Sequence, residues 1–313
     1  FNQAVQTDRD WGSTMKPIVD YGPAFENNIY TSTNDYVSDS PTTYPNGTPL
    51  KNWDNTYFGS MTVKSALALS RNIPAVKTLI NVGLDNSSKF VDGLGINLNP
   101  LQYSNAISSN TNTKNGGASS EKMAAAYAAF SNGGIYTKPY YVSKVFPDGR
   151  TVEYKPVRSR AMQASTAYIM TNILQSVLTL PLSESVGSYA AVPGLPAAGK
   201  TGTSNYTDSE MDQITEKYGS LPGMVSPDEN FVGYTPQYSM AVWTGYSNRM
   251  TPIYGTSTQI ATKVFSSMMT QLNPDPSAVA TWTAPEGVAQ QGSALVKTDS
   301  SGQTVTQSSA NGG

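Results

Sequence analysis

The stretch Phe231-Val232-Gly233-Tyr234-Thr235-Pro236-Gln237-Tyr238-Ser239-Met240-Ala241-Val242-Trp243-Thr244-Gly245-Tyr246 decides the fold. Two runs rich in aromatic and β-branched residues flank a Thr-Pro-Gln connection, and proline presets φ for the second position of a type I turn. Phe231–Thr235 and Tyr238–Tyr246 therefore read as an antiparallel hairpin. Upstream, Ala198–Ser204 reads as a further strand. Helical patterns surround these strands at Val63–Leu69, Pro74–Val82, Glu121–Phe130, Ser165–Leu180 and Ser257–Leu272. Strands and helices interleave, yet the late strands are hairpin-linked. That favours an α/β protein of the α+β type, an antiparallel central sheet sandwiched by helices, over a doubly wound parallel sheet.

The remaining chain is read more coarsely. Asn2 to Thr7 is expected as a short strand, followed by a polar turn at Asp8-Arg9-Asp10. A helix is expected from Ser13, because Pro17 is tolerated only in an opening turn. Residues 26–60, rich in Asn, Thr, Ser, Tyr and Pro, read as an irregular surface excursion around Trp53. Residues 97–117 read as loop. Tyr140–Phe146 and Thr151–Tyr154 form a hairpin around Pro147-Asp148-Gly149-Arg150, and residues 205–229 a polar loop. One domain is expected over residues 1–285, with a poorly packed tail over 286–313.

Composition removes whole classes of chemistry. Among 313 residues there is no histidine and no cysteine. A Ser-His-Asp triad, a cysteine nucleophile and a thiolate or imidazole metal site are excluded. The net charge of −2, from 20 basic and 22 acidic residues, offers no basic stripe for nucleic acid. No apolar run approaches the ~20 residues that span a bilayer. Phe1 is no initiator, so the chain reads as an excised fragment, itself expected to be soluble.

A hydroxyl nucleophile in such a chain must be activated by an amine, and three short motifs provide the parts: Ser13-Thr14-Met15-Lys16, Ser70-Arg71-Asn72 and Lys200-Thr201-Gly202. On a helix, residues three apart share a face, so Lys16 Nζ is expected to reach Ser13 Oγ. Lys16 can take a proton near pH 7 only if its pKa falls about three units from ~10.4, at a cost of about 4 kcal/mol. Burial and a second cation both lower it, and Lys200 is the candidate second cation. Lys16 and Lys200 are therefore expected to face one cleft with Ser70 Oγ between them. Ser70 is placed to pass a proton to a leaving amine, and Asn72 to hold a substrate amide. Lys200 and Gly202 share one face of a strand, and Gly202, lacking Cβ, would let a substrate backbone lie close along that strand. The Thr203 hydroxyl suits a carboxylate, and its backbone N–H with that of Ser13 could form an oxyanion hole.

Each pattern alone is weak. Ser119-Ser120-Glu121-Lys122 is a second Ser-x-x-Lys, read as helix capping. Ser32-Thr33-Asn34 and Ser108-Ser109-Asn110 repeat Ser-x-Asn, whereas Lys-Thr-Gly occurs once. Trp11 and Trp53 are either cleft rim or packing, with Trp53 kept as a substrate-binding candidate. Arg71 reads as a surface or helix-end charge and Glu121 as a first-turn acid. Asp208, Glu210, Asp212 and Glu216 read as a solvated acidic loop.

Taken together, Arg9-Asp10-Trp11-Gly12-Ser13-Thr14-Met15-Lys16-Pro17, Ala66-Leu67-Ala68-Leu69-Ser70-Arg71-Asn72 and Gly199-Lys200-Thr201-Gly202-Thr203 resemble the active-serine signatures of penicillin-binding proteins. Glu121–Gly134 and Tyr238–Arg249 resemble the class A group, of streptococcal 1a type. The resemblance implies a D,D-transpeptidase that cross-links peptidoglycan stem peptides and is acylated by β-lactams, with Ser13 as nucleophile. Its partners would be Lys16, Ser70, Asn72, Lys200 and Thr203. Thr201 and Gly202 join the substrate-binding set, and no cofactor or metal is implied. It also implies a parent with a membrane anchor and a glycosyltransferase domain, on the extracytoplasmic face of a Gram-positive cell membrane. A D,D-carboxypeptidase, a serine β-lactamase or a non-catalytic β-lactam sensor would share the same first half-reaction.

Overall fold

The computed structural model describes residues 2–6, 9–109, 118–181 and 183–310. Its longer helices are α1 (Val63–Ala68), α2 (Asn72–Val82), α3 (Leu84–Gly93), α4 (Ser120–Ser131), α5 (Ala164–Thr179), α6 (Asp208–Tyr218) and α7 (Ile260–Leu272). Strands β1 (Ala198–Thr203), β2 (Asp228–Tyr234) and β3 (Ser239–Gly245) form an antiparallel sheet in the order β3-β2-β1. Phe231 lies opposite both Val242 and Thr201, and Glu229 opposite both Thr244 and Thr203.

Side-chain alternation places Phe231 and Tyr234 on opposite faces of β2. Phe231 meets Phe265 of α7 with ring centroids 4.9 Å apart. Tyr234 packs on Tyr127 and Phe130 of α4, and its hydroxyl pairs with Thr171 of α5 at 2.9 Å. Helices thus cover both faces of the sheet, as the hairpin reading requires. Ser119 caps α4 by accepting from Lys122 N–H, so the second Ser-x-x-Lys is a helix start. The Pro236 connection is tight, with Tyr238 N–H donating to the Thr235 hydroxyl at 3.0 Å.

Several expectations are corrected. Gln3–Gln6 is a helical turn, not a strand, with Asn2 Oδ1 accepting from Ala4 N–H; Thr7 and Asp8 lie outside the described residues. The excursion at 26–60 holds paired strands, Tyr36–Asp39 with Gly59–Thr62 and Thr42–Thr43 with Pro49–Leu50. Residues 205–229 are not a loop. Thr207 and Glu210 form a reciprocal capping box that opens α6, and this also places the four acidic residues on a helix. Helix α3 has no counterpart among the expected elements, and in 97–117 Tyr103–Ala106 makes a 3-10 turn while residues 110–117 lie outside the described set. The hairpin at 140–154 pairs only Lys144–Val145 with Val152–Glu153.

The tail is also not uniformly loose. Val288–Gln291 and Ala294–Lys297 form a hairpin whose second strand is buried throughout. Leu295 O accepts from Thr33 N–H, and Lys297 Nζ donates to Phe25 O and Asn28 Oδ1, both at 2.7 Å. These bonds satisfy a buried amine and tie the tail hairpin to the end of the Gly22–Glu26 helix. From Asp299 to Ala310 the chain is exposed except at Val305.

Candidate active site

The Ser13 segment begins as a 3-10 turn, Gly12–Met15, and runs on through Pro17–Tyr21 and Gly22–Glu26. Asp10 Oδ1 accepts from Gly12 N–H at 2.9 Å, which satisfies a free donor at the start of this run. Trp11 is 1% exposed and donates Nε1–H to Ala118 O, so it packs the core and does not line the rim. Tyr127 of α4 donates its hydroxyl to Thr14 O at 2.6 Å.

This turn lies backbone against backbone on β1. A Cβ on Gly12 would sit 2.4 Å from Thr203 O, and one on Gly202 would sit 2.2 Å from Trp11 O and 2.7 Å from Thr14 Cγ2. The expectation that Gly202 clears room for a substrate is therefore corrected: its missing side chain lets the Ser13 turn seat on the strand. The same contact brings Ser13 and Thr203 together at the cleft.

Ser70 ends α1 in a left-handed conformation, φ +58°, which L residues avoid. The turn points both its carbonyl and its hydroxyl at Lys16. Lys16 Nζ reaches Ser70 O at 2.6 Å, Asn72 Oδ1 at 2.9 Å and Ser70 Oγ at 3.2 Å. Lys200 Nζ reaches Ser70 Oγ at 2.8 Å and Thr201 O at 3.1 Å. Ser70 Oγ thus lies between the two amines. The expected Lys16–Ser13 bond is not made; among the described residues no hydrogen bond holds Ser13 Oγ. Lys16 has turned to the obligate acceptors that burial leaves it. Asn72 is likewise engaged, with its amide nitrogen on Lys51 O at 3.1 Å.

Arg71 overturns its surface reading. It is 1% exposed and pairs with Asp39 at 2.9 Å and Asp54 at 2.7 Å. Its guanidinium lies 4.3 Å from the Phe58 ring centroid. Asn52 Oδ1 accepts from the N–H groups of Asn72 and Ile73, capping α2 from a distant segment. The 26–60 excursion is thus the clamp that fixes Ser70 and Asn72. Trp53, from the same segment, is 53% exposed at the cleft rim.

Both amines are fully buried. Burial, then the charge of Lys200, hold Lys16 well below the usual lysine range, while Asp20 opposes the shift. Burial lowers Lys200 to about 7. A neutral Lys16 amine has two N–H donors and one lone pair. With donors on Ser70 O and Asn72 Oδ1, the lone pair is free to accept from a hydroxyl. Asp20, one turn beyond Lys16, was missed by sequence reading; burial raises its carboxyl well above the ordinary range and the Lys16 charge opposes this.

A cleft of about 270 Å³ opens over this group, lined by Ser13, Trp53, Ser70, Asn72, Thr201 and Thr203. Ser204 N–H donates to Asp228 O, so ladder alternation turns the N–H and C=O groups of Thr201 and Thr203 toward the free edge of β1. Glu229 also lines the cleft, and accepts from Thr203 Oγ1 and Ser226 Oγ, both at 2.8 Å. The sequence shows no well-placed carboxylate, because only the β2–β1 register brings Glu229 to Thr203.

A cleft hydroxyl, two buried amines sharing a second hydroxyl, and an open strand edge supply the groups that serine acyl transfer needs in a chain without histidine. The chain belongs to the penicillin-binding protein transpeptidase domain family, whose model matches residues 1–270. Among its relatives, penicillin-binding protein 1A of Streptococcus oralis is 57% identical over 278 residues, covering 88% of this chain and 42% of the relative. Penicillin-binding protein 1A of Streptococcus pneumoniae is 53% identical over 304 residues, covering 95% and 40%. The chain therefore spans less than half the length of either. In fold it is similar to penicillin-binding protein 1A of Haemophilus influenzae, with a TM-score of 0.74 at 17% identity, covering 98% of this chain and 50% of that one. It is also similar to PonA1 of Mycobacterium tuberculosis, with a TM-score of 0.73 at 19% identity, covering 99% and 79%. Among the described residues no helix is long and apolar enough to cross a membrane.

Proposed function

We propose that this chain is a serine D,D-transpeptidase domain that cross-links peptidoglycan stem peptides and is trapped by β-lactams as an acyl-enzyme. The observation that carries the reading is the placement of Ser70 Oγ at 3.2 Å and 2.8 Å from the two buried amines, beside Ser13. Ser13 Oγ attacks the penultimate D-Ala carbonyl and its proton passes to neutral Lys16. The backbone N–H groups of Ser13 and Thr203 receive the oxyanion. Ser70 then gives its proton to the departing D-Ala nitrogen and is reprotonated from Lys16. An amine of a neighbouring stem peptide attacks the ester, and Ser13 is released. Asn72 holds Lys16 in place, burial keeps Lys16 deprotonated with Lys200 adding to this whenever that amine is charged, and Thr201 with Thr203 offers backbone groups to a substrate strand. The Thr203 hydroxyl receives the substrate carboxylate and Trp53 borders the groove. No step calls for a cofactor or metal. The whole protein is proposed to add a membrane anchor and a glycosyltransferase domain and to act at the extracytoplasmic face of a Gram-positive cell membrane.

Intact mass after exposure to a penicillin tests the nucleophile: a long-lived adduct is expected in the wild type and none in Ser13→Ala. Acylation of Ser13→Ala would overturn the assignment. Incorporation of an amine acceptor into a D-Ala-terminated thioester is expected for a transpeptidase; hydrolysis alone would mark a carboxypeptidase, and rapid drug turnover a β-lactamase.

A further inference from the structure

We propose that Glu229 is a positioning residue that decides whether the Thr203 hydroxyl can donate a hydrogen bond to the carboxylate of an incoming ligand. The inference rests on the proposed role of Thr203 as receiver of that carboxylate. Thr203 has one hydroxyl proton, and Thr203 Oγ1 lies 2.8 Å from Glu229 Oε2. An ionised carboxylate only accepts, so it draws that proton to itself. The threonine oxygen then has no donor left for a ligand carboxylate, which also only accepts, and a second anion stands directly behind it. When Glu229 is protonated on Oε2, the bond reverses: Glu229 donates, and the Thr203 proton is released into the cleft. No heavy atom needs to move.

The surroundings allow both states. Glu229 is 4% exposed, its Oε1 accepts from Ser226 Oγ at 2.8 Å, and its carbonyl accepts from Thr244 Oγ1 at 2.8 Å. The charged group acting on it is Asp228, which is itself paired with Arg9 at 2.9 Å and bonded by Trp243 Nε1. From β3 it faces Thr244 and from the Val225–Ser226 strand it faces Ser226, both uncharged, while Lys200 of β1 is directed to Ser70. Burial raises Glu229 to about 7, so the two states exchange near neutrality. Both its oxygens are taken by hydroxyls, which argues against a role as a water-activating base.

The test compares acylation rates for a penicillin and for its methyl ester, which lacks the carboxylate, between pH 5.5 and 8.5. Taking the ratio of the two rates cancels the titration of the acylating amines; any effect of the Lys200 charge on the ligand carboxylate is common to wild type and variant. Glu229→Gln keeps the shape, stays neutral and donates to Thr203 Oγ1. Its ratio is expected to match the wild type at pH 5.5 and to exceed it by about tenfold or more at pH 8.5, the size of one hydrogen bond to a charged group. Superimposable ratios across the range, or an equal loss for both ligands, would overturn the proposal. Glu229→Ala, which also frees the hydroxyl, serves as a second variant with the same expectation should the glutamine variant fold poorly. Thr203→Val separates the two readings. If it leaves the ratio unchanged, Thr203 does not receive the carboxylate and both readings of the residue fall. If it lowers the ratio while Glu229→Gln follows the wild type, only the role of Glu229 falls.

Discussion

Gly202→Ala puts the seating of the Ser13 turn on β1 to the test. The added Cβ would lie 2.2 Å from Trp11 O, 2.7 Å from Thr14 Cγ2 and 3.0 Å from Thr14 N. Two of these atoms are backbone and cannot rotate away. To restore ordinary contact the strand and the turn must part by about 1 Å, against a core packed to crystal density. Overpacking of this kind costs about 1–3 kcal/mol. The functional cost is expected to be larger, because a shift of about 1 Å in reacting groups lowers rates by about 10²-fold. Both numbers are accessible: the midpoint of denaturant unfolding, and the second-order rate of acylation by a fluorescent penicillin. If Gly202 instead served only to admit a long peptide, the variant would melt like the wild type. It would also acylate normally with the small drug and lose rate only with stem-peptide substrates. That result would refute a seating role for Gly202.

Other perturbations separate the parts of the site. Lys16→Ala is expected to slow acylation by about 10²- to 10⁴-fold, the usual contribution of a positioned base, measured by the same fluorescent assay. Lys200, lowered to about 7 by burial, is neutral in the folded state and charged in the unfolded state between pH 7 and its ordinary value. The unfolded chain then binds more protons, so stability rises with pH, by about 2 kcal/mol between pH 7 and 9 from this residue. Lys200→Met should flatten that rise in denaturant unfolding at the two pH values. Arg71→Ala leaves Asp39 buried without its cation and should cost about 3–5 kcal/mol, with a parallel loss of acylation as Ser70 and Asn72 lose their clamp.

The parts that were legible in the sequence are those with local causes. The hairpin at Thr235-Pro236-Gln237 and the capped helix after Ser119 follow from turn and capping chemistry within a few residues. Absence of histidine and cysteine left amine activation as the way to a nucleophilic serine, and that constraint led to the two lysines around Ser70. The excursion at 26–60 and the tail hairpin were illegible because polar segments fold here by satisfying one another across long sequence separations. Arg71 with Asp39, and Lys297 with Phe25 and Asn28, are bonds no local pattern announces.

By itself, then, the sequence determined which donors, acceptors and charges the candidate site holds: Ser13, Lys16, Ser70, Asn72 and Lys200, with β1 beside them. Tertiary structure decided what those groups touch. It turned Lys16 away from Ser13 to Ser70 and Asn72, converted Gly202 from a substrate gap into a packing contact, and brought Glu229 to Thr203. Residue types carry donors, acceptors and charge wherever they stand. Protonation state and hydrogen-bond direction depend on burial and on neighbours supplied by other segments, and those exist only once the chain has folded.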